Sequence, residues 1–69
     1  MTRTFTAVLH QEGILYVAEC PEVGTTSQGP TIEEAVRNLQ EATELYLEEF
    51  PLHEIHRPWV TTFEVALNA

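Results

Sequence analysis

The sequence predicts an α+β fold, a two-layer β-β-β-α-β arrangement in which one long helix crosses a mostly antiparallel sheet. Three observations predict it. Apolar and polar residues alternate over residues 2–10, 14–20 and 59–67, the period-2 signal of half-buried strands. Residues 31–50 instead carry apolar side chains at helical spacing. At 69 residues the chain makes one domain, 1–69, with no room for a second.

The first run, residues 2–10, sets Phe5, Ala7 and Leu9 on one face and Thr4, Thr6 and Val8 on the other. Gln11-Glu12-Gly13 then offers a short turn, with glycine where positive φ is easiest. Residues 14–20 read as the second strand of a hairpin, with Ile14, Tyr16 and Ala18 sharing a face. Pro21 ends the ladder because it has no N–H to donate. Residues 25–28, Thr-Thr-Ser-Gln, give a polar third strand before Gly29-Pro30 turns the chain.

The helix has the clearest local signals. Thr31 is the expected N-cap, and Glu34 completes a capping box. Glu33 and Glu34 lie in the first turn, where negative charge meets the positive end of the helix dipole. Ile32, Ala35, Val36, Leu39, Ala42, Thr43, Tyr46 and Phe50 form the expected core stripe, and Pro51 stops the helix. Glu33 and Arg37 are spaced for an i,i+4 ion pair. Residues 52–58 connect to a final strand, 59–67, whose Trp59, Thr61, Phe63, Val65 and Leu67 are expected to pack under the helix.

Composition narrows the function. There are eleven Glu, no Asp, no Lys and three Arg, for a formal net charge of −8. Nucleic-acid affinity comes largely from Lys and Arg set against phosphates, so direct DNA or RNA binding is not expected, nor is an anionic membrane surface. A basic protein is the natural complement. No apolar run approaches the length of a membrane span, no signal-peptide pattern opens the chain, and a single cysteine fits a reducing compartment. A cytoplasmic protein is expected. A chain this short buries only about 60% of its unfolded surface, and a homo-oligomer, a dimer first, is one expected source of added stability.

The search for chemistry returns little. His53-Glu54-Ile55-His56 is one residue short of the zincin spacing and lacks an evident third ligand. Cys20 has no base beside it, and neighbouring negative charge suppresses its thiolate. A metal-dependent nuclease needs several converging carboxylates. Only Glu19 and Glu22 lie near one strand end, while most of the other glutamates line a helix face. No enzyme activity, cofactor or metal is expected. The outer helix face, with Glu41, Glu44, Leu45 and Glu48, is the expected partner-binding surface. Leu45 stands out there as an apolar residue roughly 120° from the centre of the core stripe.

The segment Tyr16-Val17-Ala18-Glu19-Cys20-Pro21-Glu22-Val23-Gly24, followed by Ser27-Gln28-Gly29 and Thr31-Ile32-Glu33-Glu34-Ala35, resembles the signature of HicB-family antitoxins. That signature is a Y-V-A-x-x-P strand, a short loop and a Q-G-x-T-x-x-E-A turn into a helix. The likeness covers roughly residues 5–50, and its weight lies in the order and spacing of the two parts. It implies a partial ribonuclease-H-like fold without catalytic acids. It also implies a function: binding and masking a small basic HicA-type toxin that cleaves messenger RNA. Many family members carry a C-terminal DNA-binding module. None is read in this chain, so a stand-alone domain is expected. A homo-oligomeric binding or regulatory module without a toxin is the alternative.

Overall fold

The computed structural model describes residues 2–51 and 57–68. Three strands follow one another in the chain: β1 over Val8–Glu12, β2 over Leu15–Cys20 and β3 over Thr25–Gly29. They form one antiparallel sheet in the order β1-β2-β3, so both outer strands are edges. The helix α1 spans Ile32–Glu49 and lies across one face of the sheet. The fold is α+β, as expected.

The β1–β2 hairpin is tighter than its residues suggested. Glu12 pairs with Leu15, which leaves Gly13 and Ile14 as a two-residue turn. Gly13 occupies the first of these positions at φ +60, where a primed turn matches the twist of the strands. Ile14, expected to share a strand face with Tyr16 and Ala18, is therefore a turn residue and 89% exposed. Gln11 and Glu12, expected in the turn, extend β1 instead.

Residues 2–7 are not strand. The Thr6 N–H donates to the Glu22 carboxylate, at 2.9 and 3.1 Å to its two oxygens, so a side chain takes the donor that a ladder partner would have used. The hydrophobic half of the expectation holds: Phe5, Ala7 and Leu9 all pack on the core.

The register sets the inner face. Ala18 lies between Leu9 and Ser27, and Cys20 beside Thr25. Ala18 and Cys20 meet Ala35 and Leu39 of the helix to form the buried core. The residues are small because the helix sits close to the sheet. Gly29 marks the closest approach: a Cβ built there would lie 2.8 Å from the Ala35 amide nitrogen.

Thr31 caps the helix as expected, its hydroxyl accepting from the Glu34 N–H at 3.1 Å. Two polar contacts fix the helix above β3. The Asn38 side-chain amide donates to the Gln28 carbonyl at 2.8 Å, and the Thr25 and Thr43 hydroxyls share a hydrogen bond at 2.7 Å. Only Ala35, Leu39 and Thr43 are buried on α1. Ile32, Val36, Tyr46 and Phe50, expected in the core stripe, are 37–60% exposed. The Tyr46 and Phe50 rings stack on each other, centroids 4.9 Å apart. The cause is lateral placement, since the helix packs over β3 and β2 and barely meets β1.

The expected fourth strand does not form. Residues 57–68 carry no regular secondary structure, and Trp59, Phe63 and Leu67 are 98, 85 and 87% exposed. Alternation states that a segment is suited to a sheet but not which edge receives it. Among the described residues no backbone hydrogen bond joins this segment to the sheet. Among the described residues the sheet therefore has three strands, not four. His53 and His56 lie outside the described residues.

Candidate functional site

Two surfaces carry the candidate functional residues. The first is the outer face of α1. The helix holds six Glu and one Arg, and Glu41, Glu44, Leu45 and Glu48 are all exposed, Leu45 to 63%. The four expected partner-binding residues thus lie on the solvent-facing side of one rigid element. The expected Glu33–Arg37 pair is not made. Among the described residues the ion pair within 4.0 Å is His10 to Glu12, at 3.7 Å on the sheet. An exposed i,i+4 pair gains only a few tenths of a kcal/mol, so solvation of two long side chains competes with it on equal terms. Among the described residues no cation lies within 4.0 Å of a helical carboxylate.

The second surface is a groove that the sequence did not announce. Because the helix is displaced toward β3, a cavity of about 390 Å³ opens on the β1 side. Phe5 and Ala7 line one wall, and Val36, Leu39 and Leu47 line the other. Arg3 and Glu44 stand among its lining residues. Most of the exposed lining surface is hydrocarbon, with Thr2, Thr6, Gln40 and Thr43 adding polar groups to Arg3 and Glu44.

At one end of this groove the residues after β2 tie the N-terminal segment down. Glu22 accepts from the Thr6 hydroxyl at 2.7 Å as well as from its amide, and the Cys20 thiol lies 3.4 Å from the same carboxylate. Partial burial works against the charged form of Glu22. The hydrogen bonds from Thr6 outweigh it and hold the carboxyl below its ordinary pKa. Cys20 is 1% exposed. Burial first, then the hydrogen bond and charge of Glu22, push its thiol pKa up. The thiol is thus held in its unreactive form, and Glu22 is the carboxylate responsible, not the adjacent Glu19. Sixteen residues separate Thr6 from Glu22, and no local pattern marks that link.

The arrangement predicts an acid-side stability change. A carboxyl whose folded pKa is depressed contributes stability above its unfolded value of about 4.3 and loses it as pH falls through the folded value. Glu22→Ala is therefore expected to cost about 1.5–3 kcal/mol near neutrality, the range for hydrogen bonds to a charged group. The gap between the two proteins should close below about pH 4. Urea titrations across that window check it, and a gap that does not change with pH would contradict the assignment.

Glu19 and Glu22 do not converge. Glu19 is exposed on the sheet face turned away from the helix, between the buried Ala18 and Cys20, while Glu22 is engaged by Thr6. Among the described residues no group of three His, Cys, Asp or Glu stands close enough to hold a metal ion, and no helix is long and apolar enough to cross a membrane. Compared with known proteins, the chain matches no family model, no curated protein and no solved structure.

Proposed function

We propose that this domain is a HicB-like antitoxin that binds a small basic HicA-type toxin and masks the surface with which it cleaves messenger RNA. The observation that carries the reading is the acidic face of α1, which makes no ion pair among the described residues. A basic partner supplies countercharge to that face, and a rigid helix holds Glu41, Glu44 and Glu48 in a constant array with Leu45 beside them. Charge complementarity of this kind accelerates encounter and fixes orientation more than it adds raw affinity. Leu45 supplies the apolar anchor, since interface energy concentrates in a few desolvated contacts.

The two-part motif supports the same reading with residues whose structural work is now visible. Tyr16 and Ala18 form the inner face of β2, Gly29 admits the helix, and Thr31 caps it. No catalytic step belongs to this function. The antitoxin acts by occupying a surface.

The test is co-expression with a HicA-type toxin, taken first from any short basic reading frame beside this one. Growth rescue and a co-purifying complex are expected. The triple variant Glu41→Lys, Glu44→Lys, Glu48→Lys should weaken the complex at least about 10-fold, mostly through a slower association that no longer depends on salt. A HicA-type neighbour that neither binds nor is neutralised overturns the reading, and unchanged affinity in the triple variant removes the helix face from it.

A further inference from the structure

The apolar groove beside β1 and the exposed run at residues 59–67 answer one another. Trp59, Phe63, Val65 and Leu67 recur at every second or fourth position on one side of the run, and all are 64–98% exposed. Exposed apolar side chains gathered along one run mark an interaction surface. The groove is walled on one side by Phe5 and Ala7, in the segment that leads into β1, and on the other by Val36, Leu39 and Leu47 of the helix. Among the described residues β1 is an edge strand whose outer N–H and C=O groups have no ladder partner. The other edge, β3, is a poor alternative. Its sequence is Thr-Thr-Ser-Gln-Gly, and the helix already covers its inner face.

We infer that residues 59–67 of one chain add as a fourth strand to β1 of a second copy, in reciprocal exchange, with Trp59 and Phe63 seated in the partner's groove. Two observations favour a second copy over the chain's own groove. The chain leaves α1 in extended backbone, Phe50 at φ −127 and ψ 81. Pro51 and Pro58 disfavour helical backbone at Phe50 and Arg57, which keeps both ends of the connection extended. Its own groove stays open while the run that fits it is exposed. The area is also sufficient. Two buried aromatic side chains remove roughly 300–500 Å² per copy. Counting the groove surface they cover and the second copy, the total is about 1,200–2,000 Å², the size of a stable interface. The exchanged strand leaves Glu41, Leu45 and Glu48 of the outer helix face uncovered, and Glu44, which lines the groove, is the one residue that the two surfaces share.

The experiment is sedimentation equilibrium of the full chain across micromolar concentrations, read together with the fluorescence of Trp59, the single tryptophan. A dimer is expected, with blue-shifted emission that moves to the red on dilution as the indole returns to water. Phe63→Asp should weaken the dimer at least about 30-fold, the factor that corresponds to one interface hot spot, while helical circular dichroism is retained. Val36→Glu, on the groove wall, should do the same from the other side. An equimolar mixture of the two variants should recover a one-armed dimer, since one intact strand then meets one intact groove. A monomer with blue-shifted emission means that the chain's own run fills the groove, which overturns the exchange. A monomer with red emission, or a dimer indifferent to both variants, overturns it as well.

Discussion

Leu39→Ala is expected to unfold most of the protein at room temperature. Leu39 is the largest aliphatic side chain of the buried cluster, 4% exposed, and it joins the helix to Ala18 and Cys20. Removing a buried leucine costs about 2–5 kcal/mol, the spread reflecting how far the site collapses. The other members of the cluster are two alanines and a cysteine, so little can move in to fill the space. Stabilities run at about 0.05–0.15 kcal/mol per residue, and a chain of 69 residues with one small core sits at the low end, about 3–5 kcal/mol in total. Urea titration followed by far-ultraviolet circular dichroism checks it. A loss under about 1 kcal/mol would mean that the core lies elsewhere.

Gly29→Ala is expected to be nearly as damaging, for a different reason. The added Cβ would meet the Ala35 nitrogen at 2.8 Å and the Glu34 carbonyl carbon at 3.0 Å. Both are backbone atoms of the first turn of α1, so the clash is relieved only by moving the helix. That movement strains the Thr31 cap and the Asn38 bond to Gln28 together. Overpacking of this kind costs about 1–3 kcal/mol, and each kcal/mol lowers Tm by about 4–8 °C in a domain this size. Gly13 supplies the control. Nothing lies within 4 Å of its Cβ position, and its requirement is positive φ, which asparagine also accepts. Gly13→Asn should therefore be mild and Gly29→Asn severe. If both melt alike, close packing at Gly29 is not the cause.

The contrast between these glycines shows how much was legible in the residues. Gly13 announces itself through its neighbours, as a glycine between two alternating runs. Gly29 also reads as a turn glycine, yet its φ is unremarkable, and the constraint comes from a helix turn that only folding brings within 3 Å. The helix shows the same division. Its capping box, first-turn acids and Pro51 stop were readable because each acts within a few residues, and α1 spans Ile32–Glu49 as those signals imply. The stripe was readable as apolar but not as buried. Whether Val36 and Tyr46 meet a sheet or water depends on where the helix settles across three strands, and Thr25, Thr43, Asn38 and Gln28 set that through contacts 10–18 residues apart.

The candidate surfaces divide in the same way. The exposure of Glu41, Glu44, Leu45 and Glu48 follows from helical period alone once the apolar stripe is known. The groove beside β1 has no sequence signature, because it is the space left by a helix displaced toward β3.

Local chemistry, acting over distances of one turn or one pleat, was sufficient to specify three strands, their order in the chain, one capped helix and an acidic outer face. Tertiary structure decided what local chemistry has no means to encode. It chose the lateral seat of the helix, the capture of Thr6 by Glu22 and the burial of Cys20. It also left residues 59–67 unpaired. A period of two orients side chains relative to their own backbone. Which neighbour that backbone meets is settled by the free energy of the assembled layers.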